Sequence, residues 1–443
     1  MDLKPGRPLD LRECVQLLDE ARVRTLFLIG PLPEADLAVQ HSSLMSPIVW
    51  DLGHIAHFEE VWLLEKTGTG PDGSEGLRGI YNPFDNPRAS RDRLELPSVA
   101  EALEYMGRVR REVLARKDRL GPRDDDPLLK DGFVFRLVLQ HEYQHDETIL
   151  QTLQLKKGEP YPAPRALALP EPDAGWADRI GSMVRFPGGM VEIGSDDRST
   201  VYDNERPRHS TEVEPFSIDA APVTNGQYLE FMDAGGYSNP KLWSAEGWKW
   251  LQKSDVESPG YWRRRDGRWE VRSFDRWEDV DPIRPVCHVT YHEAEAFARF
   301  AGKRLPTEVE WEAAATWDPE QGEKRAYPWG EEPPDPTRAN VDMMAFGTAP
   351  VGSFPGNVSP VGCYGMIGDV WEWTASDFQG YPGFESFPYP EYSQVFFGTE
   401  YKVLRGGSWA SRPGAVRGTF RNWDFPVRRQ IFSGFRCALG GGA

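Results

Sequence analysis

The chain changes character near residue 156, and this change constrains its fold more than any other feature. Up to that point the sequence carries long stretches of helical periodicity, whereas after about residue 182 it is rich in Gly, Pro and Trp. Residues 156–180 are proline-rich and lack periodicity, which is typical of a linker. Because 443 residues are too many for one compact core, we expect two domains of roughly 150 to 250 residues each.

The first region predicts four helices. Asp10 and Glu13 form a capping-box pattern for a helix that ends near residue 30, and Pro47 after Ser46 is a typical start of a second helix. Two further helices are expected over about 101–117 and 132–155. Four helices joined by modest loops are typical of a four-helix bundle.

The second region predicts an irregular α+β fold, because short apolar runs alternate with Gly, Pro and Trp and only two stretches have helical periodicity. Those helices are expected over about 225–234 and 292–302. The chain is therefore expected to contain a helical domain over 1–165, a linker over 166–180 and an α+β domain over 181–443.

Charge and composition exclude several classes of partner. The formal net charge is -18 and no dense Lys/Arg block occurs, which argues against nucleic acid and anionic membranes as partners. The N-terminus has no apolar core and no run of 18 apolar residues exists, so neither a signal peptide nor a membrane span is predicted. The four cysteines are scattered, which fits reduced thiols and a cytoplasmic protein.

Three histidines form a candidate metal site. His141 and His145 are four residues apart, so both project from one face of a helix. The same face carries Val134 and Val138, which indicates that it points into the bundle. His54 lies on an apolar stripe of the second predicted helix, so three imidazoles from two helices can converge on one ion.

The residues alone leave the nature of this site open. The histidines either bind a metal or are hydrogen-bonded core residues, and His57 competes with His54 as the third ligand. Neutral imidazoles suit Zn, Cu, Fe and Ni, and three protein ligands leave positions open for catalysis. Asp51 and Glu147 are candidates to orient the ligand rings, although Glu147 could equally be a solvated charge on the helix surface.

Several segments resemble a known family. WDLGHIAHFEEVWLL and HEYQHDET resemble the DinB-like helical domain of the sulfoxide synthases of ergothioneine biosynthesis. The second region resembles the formylglycine-generating-enzyme fold, which is C-type-lectin-like, in GGMVEIGSDD, DNERPRH, PVTNGQY, HVTYHEAEAFARFAGKRLPTEVEWE, YPWGE, GDVWEWTAS, VLRGGSW and SGFRCAL. The resemblance covers nearly the whole chain and implies an α + (α+β) architecture. The paired catalytic cysteines of formylglycine-generating enzymes have no counterpart, and Cys437 is expected to be buried and structural.

The resemblance also implies a reaction and a cofactor. His54, His141 and His145 would hold Fe(II), and the sulfur of γ-glutamylcysteine would be joined to the imidazole carbon of hercynine (trimethylhistidine). O₂ would be consumed and the sulfur would leave as a sulfoxide. A six-coordinate iron with three protein ligands has three open positions, which would make the coupling effectively intramolecular. Coordination would keep the thiol deprotonated.

Further residues receive roles from the resemblance. Arg88 and Arg91 match arginines that bind the carboxylates of γ-glutamylcysteine, for which a planar guanidinium is suited. Asp424 and Arg428 match a segment that closes the thiol-substrate pocket, where they would bind an α-ammonium and a carboxylate. Because they are four residues apart, they could instead pair with each other.

The other matched residues concern hercynine and catalysis. Asn422 and Trp423 match positions near its betaine group, which favours aromatic faces, and Gln144 would bind its imidazole or carboxylate. Tyr389 matches the catalytic tyrosine, expected to donate a proton to an oxygen species at the iron. Tyr392 is the neighbouring alternative.

Other functions compete with this interpretation. The same chemistry could use cysteine or a selenosugar as the chalcogen donor, although Arg88 and Arg91 favour a dicarboxylate. The DinB-like bundle by itself would also allow a metal-dependent thiol transferase, which needs no O₂. A carbohydrate- or protein-binding module built on the second domain is the non-enzymatic alternative. The sequence does not indicate an oligomeric state.

Overall fold

The computed structural model describes residues 4–70, 75–165 and 167–441. The chain divides into two compact units. The first unit contains Met1–Ala163 with Asp197–Thr200, and the second contains Pro164–Asp196 with Val201–Ala443. Within the described part of the chain, none of the helices is long and apolar enough to cross a membrane.

The first unit is helical. Its helices are α1 (Leu11–Ile29), α2 (Glu34–Ala38), α3 (Ile48–Glu60), α4 (Glu75–Tyr81), α5 (Val99–Ala115) and α6 (Phe133–Gln154). The four long helices pack mainly as α1 against α6 and α3 against α5, and α3 also packs against α6. This is the bundle that the sequence predicts, with α4 and α2 as short additions.

Local capping explains where these helices begin. The Asp10 side chain accepts from the Glu13 backbone N–H, and the Glu13 carboxylate accepts from Asp10 in return, as predicted. The start of α5 is different from the prediction. Ser98 and Glu101 form a second capping box, so α5 begins at Val99 rather than at Glu101, because the Glu caps the helix from its third position. α3 continues into a π-helical turn, Val61–Glu65.

A buried ion network fixes the helices that carry the histidines. Arg22 of α1 is 2.8 Å from Glu59 of α3 and 2.8 Å from Glu142 of α6. Arg110 of α5 lies 2.7 Å from the same Glu59. Removing one partner from such a buried network costs on the order of 3–5 kcal/mol, because the other charges remain desolvated. The network therefore holds α3 and α6 at a fixed spacing.

The second unit combines short strands with five α-helices and several 3-10 turns among the residues that the structure describes. Its helices are α7 (Trp176–Arg179), α8 (Asn225–Asp233), α9 (Ala245–Leu251), α10 (Tyr291–Phe300) and α11 (Glu308–Thr316). α8 and α10 are the two predicted helices, but α7, which lies in the predicted linker, α9 and α11 were not predicted. α11 has a sequence signal that could have revealed it, the capping box of Thr307 and Glu310.

In the described part of the chain, the strands form five small sheets. They are β1 (Met183–Phe186), β2 (Gly189–Ile193), β3 (His209–Val213), β4 (Phe216–Asp219), β5 (Trp262–Arg265), β6 (Arg268–Ser273), β7 (Arg276–Asp279), β8 (Trp317–Asp318), β9 (Glu323–Lys324), β10 (Trp371–Asp377), β11 (Lys402–Arg405), β12 (Asn422–Asp424), β13 (Ser433–Gly434) and β14 (Ala438–Gly440). The sheet orders are β1-β4-β14, β12-β11-β10-β13, β2-β3, β5-β6-β7 and β8-β9. All pairs are antiparallel except β10 with β13.

The core of the second unit is aromatic and contains buried ion pairs. Phe186, Phe216 and Trp311 are fully or almost fully buried in one cluster. Beside them, Glu312 lies between Lys324 and Arg405, with all three side chains withdrawn from solvent. These contacts hold the irregular strands in place, since short strands alone bury too little surface to be stable.

Candidate metal centre and substrate residues

Three histidines converge inside the helical unit. α3 contributes His54 and α6 contributes His141 and His145, and their ligand atoms lie within 4.8 Å of one another. Among the described residues, this is the only group of three or more His, Cys, Asp or Glu that could hold a metal ion. His57 lies outside the group, and its Nδ1 is 3.5 Å from the Tyr105 hydroxyl.

Hydrogen bonds orient two of these rings. The Nδ1 of His54 is 2.9 Å from the Tyr81 carbonyl oxygen at the end of α4. The Nδ1 of His145 is 3.1 Å from the carboxylate of Asp51, which is buried. An acceptor at Nδ1 fixes the proton there and leaves Nε2 with its lone pair for a metal. The Nε2 atoms of His54 and His141 are 3.2 Å apart.

Aromatic rings support the same ligands. Trp50 stacks on His54 with ring centroids 4.6 Å apart, and Phe58 stacks on His141 at 3.7 Å. The guanidinium of Arg91 lies 3.4 Å from the centre of the Trp50 ring. The imidazoles are therefore held by packing as well as by hydrogen bonds.

The electrostatics favour the metal-binding form of the histidines. Burial lowers the pKa of His54 and of His141 well below the usual range, and the His145 ring nearby lowers each further. Both imidazoles are then neutral, as a metal ligand must be. Three converging imidazole nitrogens fit a transition metal such as iron and leave coordination positions for substrates.

Of the two carboxylates proposed to orient ligands, Asp51 contacts the ring of His145. Glu147 is 8% exposed, so the alternative of a solvated helix charge is wrong. Gln144, between His141 and His145, is partly exposed on α6.

Arg88 and Arg91 lie on a short 3-10 helix, Arg88–Arg93, of the same unit. Arg91 is buried, and it donates to the Asn86 carbonyl oxygen at 2.9 Å and to the Ser46 hydroxyl at 2.5 Å. Burial lowers its pKa to about 10. Arg88 is more exposed, and its backbone carbonyl accepts from the Gln40 amide. The two arginines therefore have different surroundings, although the family resemblance assigns both of them the same role in carboxylate binding.

Three candidate substrate-binding residues of the second unit lie on the edge strand of the four-stranded sheet. Asn422, Trp423 and Asp424 form β12, and one face of Trp423 stacks on Phe378 at 4.1 Å. The Asp424 carboxylate is 3.6 Å from the Arg428 guanidinium, so the pairing that the sequence left open occurs here.

Two family models match the chain. A sulfatase-modifying factor enzyme 1-like domain matches residues 170–440, and the DinB superfamily matches residues 17–149. These matches confirm the predicted fold class, a DinB-like helical bundle followed by an irregular α+β domain of the formylglycine-generating-enzyme type.

Two similar proteins match this chain over nearly its whole length, and a third matches part of it. A hercynine oxygenase of Mycobacterium tuberculosis is 46% identical over 95% of this chain and 97% of its own length. The hercynine oxygenase of Mycolicibacterium smegmatis is 44% identical over 94% and 96%. The chain belongs to the hercynine oxygenase family. It is therefore an oxidoreductase. An inactive C-alpha-formylglycine-generating enzyme 2 of Bos taurus is 32% identical over 59% of this chain and 89% of its own.

The second domain of this family member lacks reactive cysteine pairs among the described residues. All four cysteines are free thiols, and Cys437 is fully buried, as expected for a structural residue. Burial raises the pKa of Cys437 well above its ordinary value, so the thiol stays protonated and unreactive.

Tyr389 and Tyr392 lie in an aromatic cluster of the second unit. Their rings meet edge to face at 6.3 Å, and Tyr392 also meets Trp423 at 6.0 Å. Burial raises the pKa of Tyr389 above its ordinary value, as do Tyr202 and Asp203 nearby. Tyr389 therefore keeps its phenol proton at neutral pH.

Several residues that build the metal centre were not assigned roles from the sequence. Tyr81 orients His54 through its backbone carbonyl, and neither its side chain nor its position in the chain indicates this. Trp50 and Phe58 lie on the predicted apolar stripe of His54, but the stripe by itself does not assign them a role at the metal site. Their spacing of four residues on either side of His54 is the signal that could have identified them as stacking partners.

Proposed function

We propose that this chain is a non-heme Fe(II)- and O₂-dependent sulfoxide synthase of ergothioneine biosynthesis. It joins the sulfur of γ-glutamylcysteine to the imidazole carbon of hercynine. The observation that carries the proposal is the cluster of His54, His141 and His145, whose ligand atoms lie within 4.8 Å of one another. The cluster occurs in a chain that is 46% identical, over nearly its full length, to a protein named hercynine oxygenase.

The overall reaction balances without another reductant. One S–H and one C–H bond break, a C–S bond and an S–O bond form, and O₂ is reduced by four electrons. One oxygen atom enters the sulfoxide and the other leaves as water with the two released protons. Iron(II) held by His54, His141 and His145 would favour loss of the proton from a bound thiol and would activate O₂.

In this proposal the arginines select the thiol substrate. Arg88, Arg91 and Arg428 are the proposed contacts of its carboxylates, because a guanidinium suits bidentate binding of a carboxylate. Arg88 and Arg428 are partly exposed, whereas Arg91 is buried. γ-Glutamylcysteine carries two carboxylates and an α-ammonium, for which Asp424 is the proposed partner. Asn422, Trp423 and Gln144 are the proposed contacts of hercynine, with a face of the Trp423 indole as the proposed partner of the quaternary ammonium.

Tyr389 is the proposed proton donor. Because its pKa is raised by burial, the phenol is protonated before the reaction and can give a proton to the oxygen atom that leaves as water. Of the two protons released from the S–H and C–H bonds, one then restores the phenol and the other completes the water molecule. A general acid of this kind contributes on the order of 10² to 10⁴ in rate when it is correctly placed.

The test uses anaerobic protein loaded with iron(II), hercynine and γ-glutamylcysteine, followed by addition of O₂. We expect O₂ uptake and a sulfoxide product whose mass is the sum of the two substrates minus two hydrogen atoms plus one oxygen atom, and His141→Ala should abolish both. Parallel reactions with cysteine or a selenosugar compare the chalcogen donors. Thiol consumption without O₂ uptake would identify a thiol transferase instead. If the purified protein contains no stoichiometric metal and its properties are unchanged by His141→Ala, the result would support a non-enzymatic binding module instead.

A further inference from the structure

A buried carboxylate holds the segment that carries Tyr389. Asp203 is fully withdrawn from solvent. It accepts from the Phe387 backbone N–H at 3.1 Å and from the Ser393 hydroxyl at 2.5 Å. These two donors lie on either side of Tyr389 in the sequence, so one carboxylate fixes both ends of the loop 387–393.

The residues next to Asp203 contact the same loop. Tyr202 stacks on Tyr392 with ring centroids 4.1 Å apart and planes at 20°. The Arg206 guanidinium lies 5.5 Å from the centre of the Phe387 ring. The segment Tyr202–Arg206 therefore contacts the loop in three ways: Asp203 accepts hydrogen bonds, Tyr202 stacks on a ring, and Arg206 makes a cation–π contact.

A carboxylate so deeply buried is costly unless it is hydrogen-bonded. Burial raises the pKa of Asp203, while the hydrogen bonds from Ser393 and Phe387 oppose the rise. Its neighbour Glu205 has a different task, because it pairs with Arg417 and accepts from the Thr419 hydroxyl, outside the loop. Asp203 and Glu205 lie on one short 3-10 helix, Asp203–Glu205. Asp203 contacts the loop, whereas Glu205 supports the surrounding scaffold.

We propose that Asp203 is a positioning residue for Tyr389, whose carboxylate fixes the 387–393 loop so that the phenol keeps one orientation during proton transfer. The inference rests on the proposed function, in which Tyr389 is the proton donor. Asp203 itself does not exchange protons with substrate. It acts through the geometry of the loop, and small misplacements of a catalytic group have large effects on rate.

The first experiment is a double-mutant cycle of Asp203→Asn with Tyr389→Phe in the iron-loaded enzyme. Asp203→Asn should lower kcat for the sulfoxide about tenfold or more, because the proton donor is misplaced. It should also raise the O₂ consumed per sulfoxide formed and leave KM for hercynine within about twofold. In the Tyr389→Phe background, Asp203→Asn should cause no further loss, because the group that it positions is absent.

Equal losses in both backgrounds would overturn the proposal. A cycle that is additive with Tyr389→Phe but non-additive with Tyr392→Phe would overturn the assignment to Tyr389. Glu205→Gln is the matched control, and it should lower stability while leaving the ratio of O₂ to sulfoxide unchanged. Ser393→Ala removes one of the two hydrogen bonds that Asp203 accepts from the loop, and it replaces Asp203→Asn in the cycle if that variant does not fold.

The second experiment needs no metal or substrate. Amide hydrogen exchange of peptides covering 387–393 should be faster in Asp203→Asn and in Ser393→Ala, whereas peptides covering β10 should be unchanged. Unchanged exchange in the loop would overturn the proposal that Asp203 fixes it. If the wild-type enzyme forms no sulfoxide, the proposed function fails, but the exchange experiment still decides whether Asp203 holds the loop.

Discussion

The Trp50 indole lies against the His54 imidazole with ring centroids 4.6 Å apart and ring planes at 15°. The Arg91 guanidinium lies 3.4 Å from the centre of the Trp50 ring. A proposed substrate-binding arginine is therefore connected to a proposed metal ligand through a single indole. The indole is also fixed by a hydrogen bond from its Nε1 to the Ile80 carbonyl oxygen at 3.0 Å. This stack leads to the first prediction.

Replacing Trp50 should weaken metal binding. Trp50→Leu removes the ring that holds His54 in its plane, so we expect metal affinity to fall about 10- to 100-fold, as for other residues that orient metal ligands. Trp50→Phe keeps an aromatic surface and should lose much less. Isothermal titration of the metal-free protein with Fe(II) under anaerobic conditions measures both. Equal affinity for Trp50→Leu and the wild type would contradict the prediction.

Gly53 should tolerate no side chain. A Cβ at this position would lie 2.0 Å from the Tyr81 hydroxyl oxygen, so Gly53→Ala must displace Tyr81, whose carbonyl orients His54. We expect a loss of about 1–3 kcal/mol in unfolding free energy, as for an overpacked core, together with weaker metal binding. Gly107→Ala within α5 is the control. It meets only the end of the Arg111 side chain and should be neutral or stabilising by about 0.5–1 kcal/mol.

Arg88 and Arg91 should respond differently to substitution. Arg88→Ala should raise KM for γ-glutamylcysteine about tenfold through loss of a charge-assisted contact, with metal affinity unchanged. Arg91→Lys keeps the charge but loses the planar fork that contacts Ser46, Asn86 and Trp50. It should therefore weaken iron binding as well as raise KM. Steady-state kinetics measures the change in KM, and metal titration measures the change in iron affinity. Equal changes in both quantities for Arg88→Ala and Arg91→Lys would contradict the prediction.

The stability of the second unit should fall in acid through Glu312. Burial alone would raise its pKa, but Lys324 and Arg405 lower it to about 2, against an ordinary value of 4.5. A lowered pKa means that the folded state binds fewer protons than the unfolded state. The stabilisation is therefore present above pH 4.5 and is lost as the pH falls from about 4.5 to about 2.

Glu312→Gln should remove this acid dependence. It should also destabilise the protein by about 3–5 kcal/mol at neutral pH, because two buried cations lose their counter-charge. Denaturant unfolding at several pH values measures both effects. Glu323→Gln, an exposed substitution on β9, is the control and should change little.

The sequence predicted the architecture where its signals are local. Asp10 with Glu13 marked the start of α1, and the spacing of His141 and His145 placed both on one face of α6. The start of α5 and the presence of α11 depended on capping boxes that the sequence also contains but that the prediction did not use. The convergence of His54 with α6 required a contact between helices 87 residues apart in sequence, which periodicity can suggest but not demonstrate.

The sequence by itself determined that the chain has a helical region with inward histidines and an irregular second region. It also carried the motifs that link it to the hercynine oxygenase family. Only the tertiary structure decided that His54 rather than His57 joins the cluster, that Tyr81 and Trp50 orient it, and that Asp203 contacts the loop of Tyr389. The physical reason is that helix caps and side-chain periodicity are local, whereas a buried carboxylate or carbonyl finds its partner through the packing of distant segments.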